Sequence, residues 1–204
     1  IKGFVDGMLD GTIPPDMQNH YLQLVSEETG RLARLIQNML DLSKLESGEY
    51  QVNARMFNIW DTLTGVALSA EQRINDGMID LEGLTMDEKV LVYADPDLIH
   101  QVAYNILDNA IKYSAPGGRI TVKLWAGEYK AFVEIIDQGR GIPPEDLENV
   151  KTKFYKGSNS VRGSGIGLAL VDSIMTALDG TMDIQSTLGR GTVVTLGLPL
   201  YHKA

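Results

Sequence analysis

The sequence predicts an α/β protein, a two-layer α/β sandwich in which helices cover a mixed, mainly antiparallel sheet, preceded by an α-helical hairpin. A helical pattern occupies most of residues 1–48 and stops at a glycine. Beyond it, strand-like and helix-like segments follow one another without strict β-α-β alternation, which favours a two-layer sandwich over a doubly wound sheet. We therefore divide the chain into a helical region, residues 1–48, and an α/β region, residues 49–204.

Composition narrows the classes of protein to which the chain can belong. Its 204 residues are 44% hydrophobic, which supports a packed core and argues against disorder. A net charge of −9 makes the chain a poor nonspecific binder of nucleic acid. It has no cysteine, so disulfides, thiolate metal sites and thiol nucleophiles are excluded. The first residue is not Met, and we expect the chain to be a fragment of a longer protein.

The helical region predicts the end of one helix, a turn and a long second helix. Residues 1–11 end the first helix, residues 12–15 form the turn, and Asp16 is expected to cap a helix that runs from Met17 to about Leu45. The apolar spacing is typical of a bundle seam, which is favoured over a core helix of the following domain because it extends over about 29 residues. The seam positions are Leu22, Val25, Thr29, Leu32, Ile36, Met39 and Ser43, reinforced by Leu35 and Leu42.

In the α/β region, hydrophobic periodicity and turn residues predict the remaining elements. Strands are expected over residues 50–56, 79–84, 90–93, 119–126, 131–136, 181–186 and 192–198. Helices are expected over residues 59–74, 97–113 and 165–178. Residues 143–160 are polar apart from Phe154-Tyr155, and they are predicted to form a loop.

The helix predicted over residues 97–113 carries an unusual polar edge. At 100° per residue, Asn105, Asn109 and Lys112 fall together on one flank of its apolar stripe, with Tyr113 at the boundary. An amide oxygen suits a hard cation, an ammonium group suits phosphate, and an aromatic ring suits a base, so together they would form a nucleotide site. The alternative is that the asparagines are solvated or cap neighbouring loops.

Two glycine-rich segments add to this edge. Asp137-Gln-Gly139-Arg-Gly141 follows an apolar strand, where glycines permit close approach of a ligand. Asp137 can accept a hydrogen bond from the exocyclic amine of adenine, whereas guanine presents a carbonyl that the carboxylate would repel. The alternative is an ordinary turn between strands.

The second segment, residues 163–168, opens a helix whose N–H groups would form an anion site. It matches neither the dinucleotide-binding fingerprint nor the P-loop. A further segment, Gly189-Arg-Gly191-Thr192, precedes a strand and taken alone is a hairpin turn.

The order of these motifs resembles the ATP-binding catalytic domain of sensor histidine kinases, in the superfamily that includes gyrase, the ninety-kilodalton heat-shock chaperone and MutL. The resemblance covers residues 49–200, and residues 1–48 resemble the remainder of the dimerisation and histidine-phosphotransfer hairpin. It implies the Bergerat-type ATP-binding fold. The corresponding motifs are the N box at 105–114, the glycine boxes at 137–141, 163–167 and 189–192, and the F box at 153–156.

The resemblance also implies roles for individual residues around ATP and Mg²⁺. The side-chain oxygen of Asn109 would bind the metal, which would take its other ligands from water and phosphates. Asp137 would hold the adenine amino group, and Phe154 would anchor a lid over residues 143–162. The catalytic group would comprise Asn105, Lys112, Lys156 and Arg162. The nucleotide would also contact Tyr113, Gly139, Gly141, Ile142, Gly163, Gly165, Gly167, Leu168 and Thr192.

Asn105 distinguishes two branches of the superfamily. Hydrolytic members carry a Glu at the matching place, where it activates water, and an amide cannot act as a general base near neutral pH. Asn105 therefore favours phosphoryl transfer to a protein group, which relies on positioning and charge neutralisation. A departure from the family is Lys151, where the family often has an apolar residue.

The phosphoacceptor motif of the family, His-Glu followed by Arg-x-Pro, is absent from this sequence. Neither His20, His100 nor His202 has the required neighbours. We expect the motif to precede Ile1 in the parent protein, so that this chain binds ATP without phosphorylating itself.

The sequence thus predicts the catalytic core of a two-component sensor histidine kinase. The parent would transfer the ATP γ-phosphoryl group to a His and on to an Asp of a response regulator. It would form a homodimer through the hairpin, would not bind nucleic acid, and would reach a bacterial inner membrane only through parts outside this cytoplasmic chain. The alternatives are an anti-sigma-type serine kinase of the same fold and a degenerate, nucleotide-free dimerisation module.

Overall fold

The computed structural model describes residues 1–84, 89–157 and 164–200. It confirms the predicted two-layer α/β fold. The helices are α1 Lys2–Leu9, α2 Pro15–Ser47, α3 Ile59–Ser69, α4 Glu71–Asp76, α5 Pro96–Tyr113, α6 Pro144–Leu147 and α7 Gly167–Ala177. The strands are β1 Arg55–Asn58, β2 Asp80–Glu82, β3 Leu91–Ala94, β4 Arg119–Ala126, β5 Lys130–Asp137, β6 Thr181–Thr187 and β7 Gly191–Pro199.

Five strands form the main sheet in the order β2-β4-β5-β7-β6. Only the β2–β4 pair is parallel, so this sheet is mixed and mainly antiparallel. Helices α5 and α7 pack against each other and cover one face of it, while β1 and β3 form a separate two-stranded ribbon. Among the described residues, no helix is both long and apolar enough to cross a membrane.

Strand β5 shows how the core places a polar group at its edge. Alternate residues of a strand point to the same face, and Ala131, Val133 and Ile135 are all buried against the helices. Asp137 has the same parity, so its carboxylate is also directed into the interior, at the end of the strand. Lys130 and Phe132 point to the other face of the sheet and are less buried.

Helix α2 begins differently from what the sequence alone suggested, but it ends at the predicted glycine. Pro14 occupies the N-cap, and Asp16 lies in the first turn without capping the helix, so the prediction for Asp16 is wrong. Prolines have the fixed φ that a helix start requires, and the acidic side chain still faces the positive end of the helix dipole. The predicted stop at Gly48 is confirmed, because this residue adopts φ +72° and donates its N–H to Leu45 O.

Two faces of α2 carry apolar residues with different surroundings. Leu42 is only 5% exposed and joins the core of the α/β region, with Leu35 and Leu45 packed beside it. Leu32 and Ile36 are half exposed on another face. Leu35 and Leu42 were expected to reinforce the seam, but they instead pack on the following domain.

Several predicted boundaries were wrong. The helix expected over residues 59–74 is interrupted at Ala70, which separates α3 from α4. The first strand begins at Arg55 because residues 50–54 form a linker, and α7 begins at Gly167 two residues later than predicted.

Asp95 ties this linker to α5 and provides a test of the fold. Its carboxylate, 3% exposed, caps α5 by accepting hydrogen bonds from Asp97 N at 3.0 Å and Leu98 N at 3.4 Å. It also accepts one from Asn53 N at 2.9 Å. We expect Asp95→Ala to lower the free energy of unfolding by about 1–3 kcal/mol, because it removes a cap and leaves buried N–H groups unpaired.

Urea denaturation measures this loss. The control is Asp76→Ala, which removes an exposed carboxylate at the end of α4 and should change stability by less than about 0.5 kcal/mol. Equal urea midpoints for the two variants would contradict the coupling of the linker to α5.

Candidate functional site

A cleft of about 560 Å³ lies between α5, the end of β5, the segment around α6 and the start of α7. It is also bordered by α2. Although the chain is acidic overall, the cleft is surrounded by cationic side chains, which favours an anionic ligand. These cations are Arg31, Arg34, Arg73, Lys112, Arg140 and Lys156.

The polar edge of α5 forms one wall of the cleft, as the sequence indicated. Asn105 and Asn109 both line it. The Nδ2 group of Asn105 donates a hydrogen bond to Gln101 O at 2.7 Å, and its Oδ1 faces Gly167, where an added Cβ would lie 3.1 Å away. The side chain of Asn109 forms no hydrogen bond with another described residue, so its amide oxygen is available to a ligand.

Asp137 occupies the buried end of the cleft and is 9% exposed. Its Oδ1 accepts a hydrogen bond from Gly139 N at 2.8 Å. Burial raises the pKa of the Asp137 carboxyl, while backbone hydrogen bonds from Gly139 and Thr192 oppose the rise. The group is therefore a fixed, desolvated acceptor whose charged form is poorly solvated until a donor reaches it.

The glycines beside Asp137 allow close packing within the protein. A Cβ at Gly139 would lie 2.5 Å from Tyr113 O, and one at Gly141, where φ is +69°, would overlap the carbonyl of Thr187. The glycines therefore let the loop approach α5 and the end of β6, which closes the floor of the cleft. Their predicted role in giving clearance to a ligand stays a prediction.

Thr192 and Ile142 meet at a serine that the sequence did not single out. Ser186 Oγ donates to Gly191 O at 2.8 Å and accepts from Ile142 N at 2.9 Å. Its Oγ also lies 3.0 Å from Thr192 Oγ1. Both Thr192 and Ile142 line the cleft, and Ser186 fixes their positions.

Tyr113 borders the cleft between two cations. Lys112 Nζ donates to the Tyr113 hydroxyl at 3.0 Å, and both Lys112 Nζ and Arg140 Cζ lie 4.5 Å from the centre of its ring. These cation–π contacts orient the ring at the rim. Arg140 was missed in the sequence because it lies between two glycines that already explained the turn.

Phe154 does not occupy the anchoring position that the resemblance implied. Its ring is 59% exposed, it adopts φ +61°, and it does not line the cleft. Its backbone N–H instead donates to Gly165 O at 2.8 Å, which links the residues that follow α6 to those just before α7. Arg162 and Gly163 lie outside the described residues.

Three polar contacts hold the segment in place of the aromatic ring. The Tyr155 hydroxyl donates to Asp146 Oδ1 at 2.5 Å, and Asp146 is only 7% exposed. Lys151 Nζ pairs with Asp172 at 3.0 Å and donates to Met182 O at 3.1 Å. An ion pair and a backbone acceptor thus satisfy Lys151 at a position where the family often packs an apolar side chain.

The start of α7 faces the cleft. Ile166 is the N-cap and forms no side-chain cap hydrogen bond. Gly165, Gly167 and Leu168 line the cleft there, and Lys156 borders it from the neighbouring segment. The first N–H groups of an α-helix and the positive end of its dipole favour an anion at this position.

The structure brings most of the predicted site residues into one cleft. Of those described, only Gly139 and Phe154 do not line it. The described residues contain no cluster of three His, Cys, Asp or Glu side chains that could hold a metal ion by themselves. Three further residues of α2 also line the cleft, and in the sequence only their helical spacing gave a signal: Arg31, Arg34 and Asn38.

Two family models match this chain. The model of histidine kinase-, DNA gyrase B-, and HSP90-like ATPases matches residues 94–202, and the model of the His Kinase A (phospho-acceptor) domain matches residues 1–48. The sensor histidine kinase YclK of Bacillus subtilis (strain 168) is 33% identical over the whole chain. This chain covers 44% of YclK, less than half of its length.

Similar structures come from the same group of proteins. The Acinetobacter baumannii histidine kinase AdeS has a TM-score of 0.81 at 25% identity, covering 98% of this chain and 93% of AdeS. The histidine kinase ThkA, in complex with the response regulator protein TrrA, has a TM-score of 0.75 at 22% identity, covering 98% of this chain and 56% of ThkA. The likeness to ThkA concerns the fold alone.

The contact between Tyr155 and Asp146 leads to a prediction about the segment that follows α6. We expect Tyr155→Phe to lower the urea midpoint and to speed limited proteolysis between residues 143 and 157, because the buried Asp146 carboxylate loses its hydroxyl donor. Tyr21→Phe is the control, since the described contacts of Tyr21 are ring contacts with Phe4 and His20. Unchanged proteolysis in Tyr155→Phe would show that the contact does not hold the segment.

Proposed function

Because the chain belongs to the histidine kinase-, DNA gyrase B-, and HSP90-like ATPase family, and within it to the sensor histidine kinases, we propose that it binds Mg·ATP for phosphoryl transfer to a protein histidine. One observation carries this proposal. The cleft joins a buried carboxylate at one end, two amide side chains along one wall and a helix start surrounded by cations.

The shape and polarity of the cleft support a nucleotide as its ligand. Its volume of about 560 Å³ is within the range typical of small-molecule sites. Ile135 and Ile142 give the end near Asp137 an apolar lining suited to a base. At the other end, the N-terminus of α7 and Lys156 suit phosphates.

Asn109 is the residue we propose for Mg²⁺. Its uncommitted amide oxygen is a hard, neutral ligand, and a cation that shares phosphate oxygens needs few protein ligands. The bound ion would supply charge neutralisation to the phosphates. Asn105 would hold its place beside Gly167 through its bond to Gln101 O and would shape the same wall.

The carboxylates around the cleft support transfer over hydrolysis. Asp108 pairs with Arg73 at 2.7 Å, Asp137 is held by backbone N–H groups, and Asp146 accepts from Tyr155. In the part of the cleft that the structure describes, every lining carboxylate is therefore engaged. None stands ready to activate water as a general base, which is consistent with the amide at position 105.

The proposal extends to the longer proteins of which this chain resembles a part. The phospho-acceptor match over residues 1–48 favours a sensor kinase over a serine kinase of the same fold. The half-exposed stripe of Leu22, Leu32, Ile36 and Met39 on α2 suits homodimerisation. We further propose transfer onward to an Asp of a response regulator, with autophosphorylation requiring an acceptor histidine that His20 and His100 do not provide.

Titration calorimetry with a non-hydrolysable ATP analogue tests nucleotide binding and the metal site together. We expect wild-type protein to bind the analogue more tightly with Mg²⁺ than without it. Asn109→Ala should lose about tenfold in affinity with Mg²⁺ and much less without it, because only the metal-dependent part uses the amide oxygen.

The control for this titration is Asn75→Ala, which alters an exposed amide at the end of α4. Absence of any binding heat from the wild type would refute the proposed function. Equal losses for Asn109→Ala in the two titrations would refute the metal role alone.

Asp137 provides a test of base recognition. Asp137→Asn presents an amine toward the amine of adenine, so affinity for adenosine should fall by about tenfold or more while any preference over guanosine is lost. Affinity of the wild type should also weaken on acidification, and at a higher pH than an ordinary aspartate would cause, since burial raises the pKa of this carboxyl and the adenine amine binds its charged form.

The same raised pKa predicts the stability of the ligand-free protein. The folded state holds the proton more tightly than the unfolded state, so the free energy of unfolding should decrease as the pH rises through the folded pKa, and this dependence should vanish in Asp137→Asn. Calorimetric titration with adenosine at several pH values measures the change in affinity. Urea unfolding at the same pH values measures the change in the free energy of unfolding. Identical pH profiles of adenosine affinity for the variant and wild type would exclude Asp137 as the base contact.

A further inference from the structure

We propose that Arg34 on α2 binds the terminal phosphate of the nucleotide, so that the helical region completes the ATP cleft of the α/β region. The proposal rests on the nucleotide function proposed above. It assigns a binding role to a residue that lies outside the part of the chain matched by the ATPase family model, which begins at residue 94.

Three contacts dock α2 against the α/β region. Leu42 is buried in the core of that region. Asp41 Oδ2 accepts a hydrogen bond from Gln101 Nε2 on α5 at 3.1 Å, and Glu46 pairs with Lys153 Nζ at 2.5 Å. An apolar, a hydrogen-bonded and an ionic contact therefore fix the same face of α2.

The residues on this face extend from the Asp41 contact toward the cleft. Arg31, Arg34, Asn38 and Asp41 are spaced three, four and three apart, so they share one side of the helix. Leu35 accompanies them. The first three line the cleft together with Asn105 and Asn109 of α5.

Helix geometry relates Arg34 to the contact that docks α2. Along α2, Asn38 lies about 4.5 Å and Arg34 about 10.5 Å from Asp41. Along α5, Asn105 lies about 6 Å and Asn109 about 12 Å from Gln101, the partner of Asp41. Arg34 and Asn109 therefore border one cleft at comparable distances along their helices from the Asp41–Gln101 contact.

Arg34 differs from the other arginines around the cleft in its contacts. Arg31 is bound by Glu28, with Nε 3.0 Å from Oε2, and Arg73 pairs with Asp108 at 2.7 Å. Arg34 forms no ion pair or hydrogen bond with any residue in the described parts of the chain. Gly30, one turn earlier, leaves its guanidinium room, since even an added Cβ there would lie 3.6 Å from Nη1.

An uncommitted guanidinium suits this position chemically. Its planar fork can donate two parallel hydrogen bonds to one phosphate, which a lysine cannot do. Because Arg34 belongs to the docked helix, a ligand that reaches it binds the docked arrangement more tightly than the undocked one. A triphosphate would therefore favour docking of α2 in a way that a diphosphate does not.

The experiment compares two nucleotides on three proteins by titration calorimetry in Mg²⁺. For Arg34→Gln we expect affinity for a non-hydrolysable ATP analogue to fall about tenfold, while affinity for ADP changes less than about twofold. Lys44→Gln is the matched control, because Lys44 is a cation of the same helix that does not line the cleft. Both affinities of that variant should equal those of the wild type.

A nuclear magnetic resonance measurement reads the contact directly. The Nε–H signal of Arg34, identified by its loss in Arg34→Gln, should shift on addition of the ATP analogue and not on addition of ADP. Such a shift supports the proposal independently of catalysis.

Three outcomes would overturn the proposal. An unchanged ratio of ATP-analogue to ADP affinity in Arg34→Gln, with wild-type binding intact, removes the role of Arg34 and leaves the nucleotide function standing. Equal losses for both ligands would place Arg34 elsewhere than at the terminal phosphate. Failure of the wild type to bind either nucleotide would overturn the proposed function and this inference together.

Discussion

The Asp137 carboxylate is held at the buried end of β5 by two backbone N–H groups, and the rest of the cleft depends on this fixed acceptor. Strand parity directs it inward, and pairing of β5 with β7 brings Thr192 beside it. Gly139 lets the following loop approach α5 closely enough for Arg140 N to donate a hydrogen bond to Tyr113 O. A desolvated carboxylate costs free energy unless a donor reaches it, so this part of the fold is arranged for a ligand more than for stability.

Polar contacts also hold the segment that borders the phosphate end. Lys151 and Tyr155 are held by Asp172 and Asp146, while the neighbouring Phe154 ring remains in solvent. Because a half-exposed ion pair is weak by itself, the segment combines one with the hydrogen bond of Tyr155 and the backbone bond between Phe154 and Gly165. This arrangement orders the segment without sealing it under a large apolar side chain.

Elements with one dominant hydrophobic periodicity were predicted well from the sequence. Predictions were poor where a residue had two possible roles or two possible packing partners. The polar edge of α5 was clear because its apolar stripe has a 3.6-residue period. Asp16 failed as a cap because the preceding prolines already fix the helix start. Leu42 was placed on the wrong face because heptad spacing does not say which partner each face of α2 meets.

The two-layer fold, the order of the motifs and the chemistry of the amide, carboxylate and glycine positions could all be predicted from the amino-acid sequence. Those properties reside in local periodicity and in side-chain type, which one stretch of chain carries alone. Three features could be seen only in the folded molecule: α2 docks on the cleft, Arg34 lines it, and Tyr155 holds the segment in place of Phe154. These depend on contacts between segments far apart in the chain, where the packing of both partners selects the residue that is used.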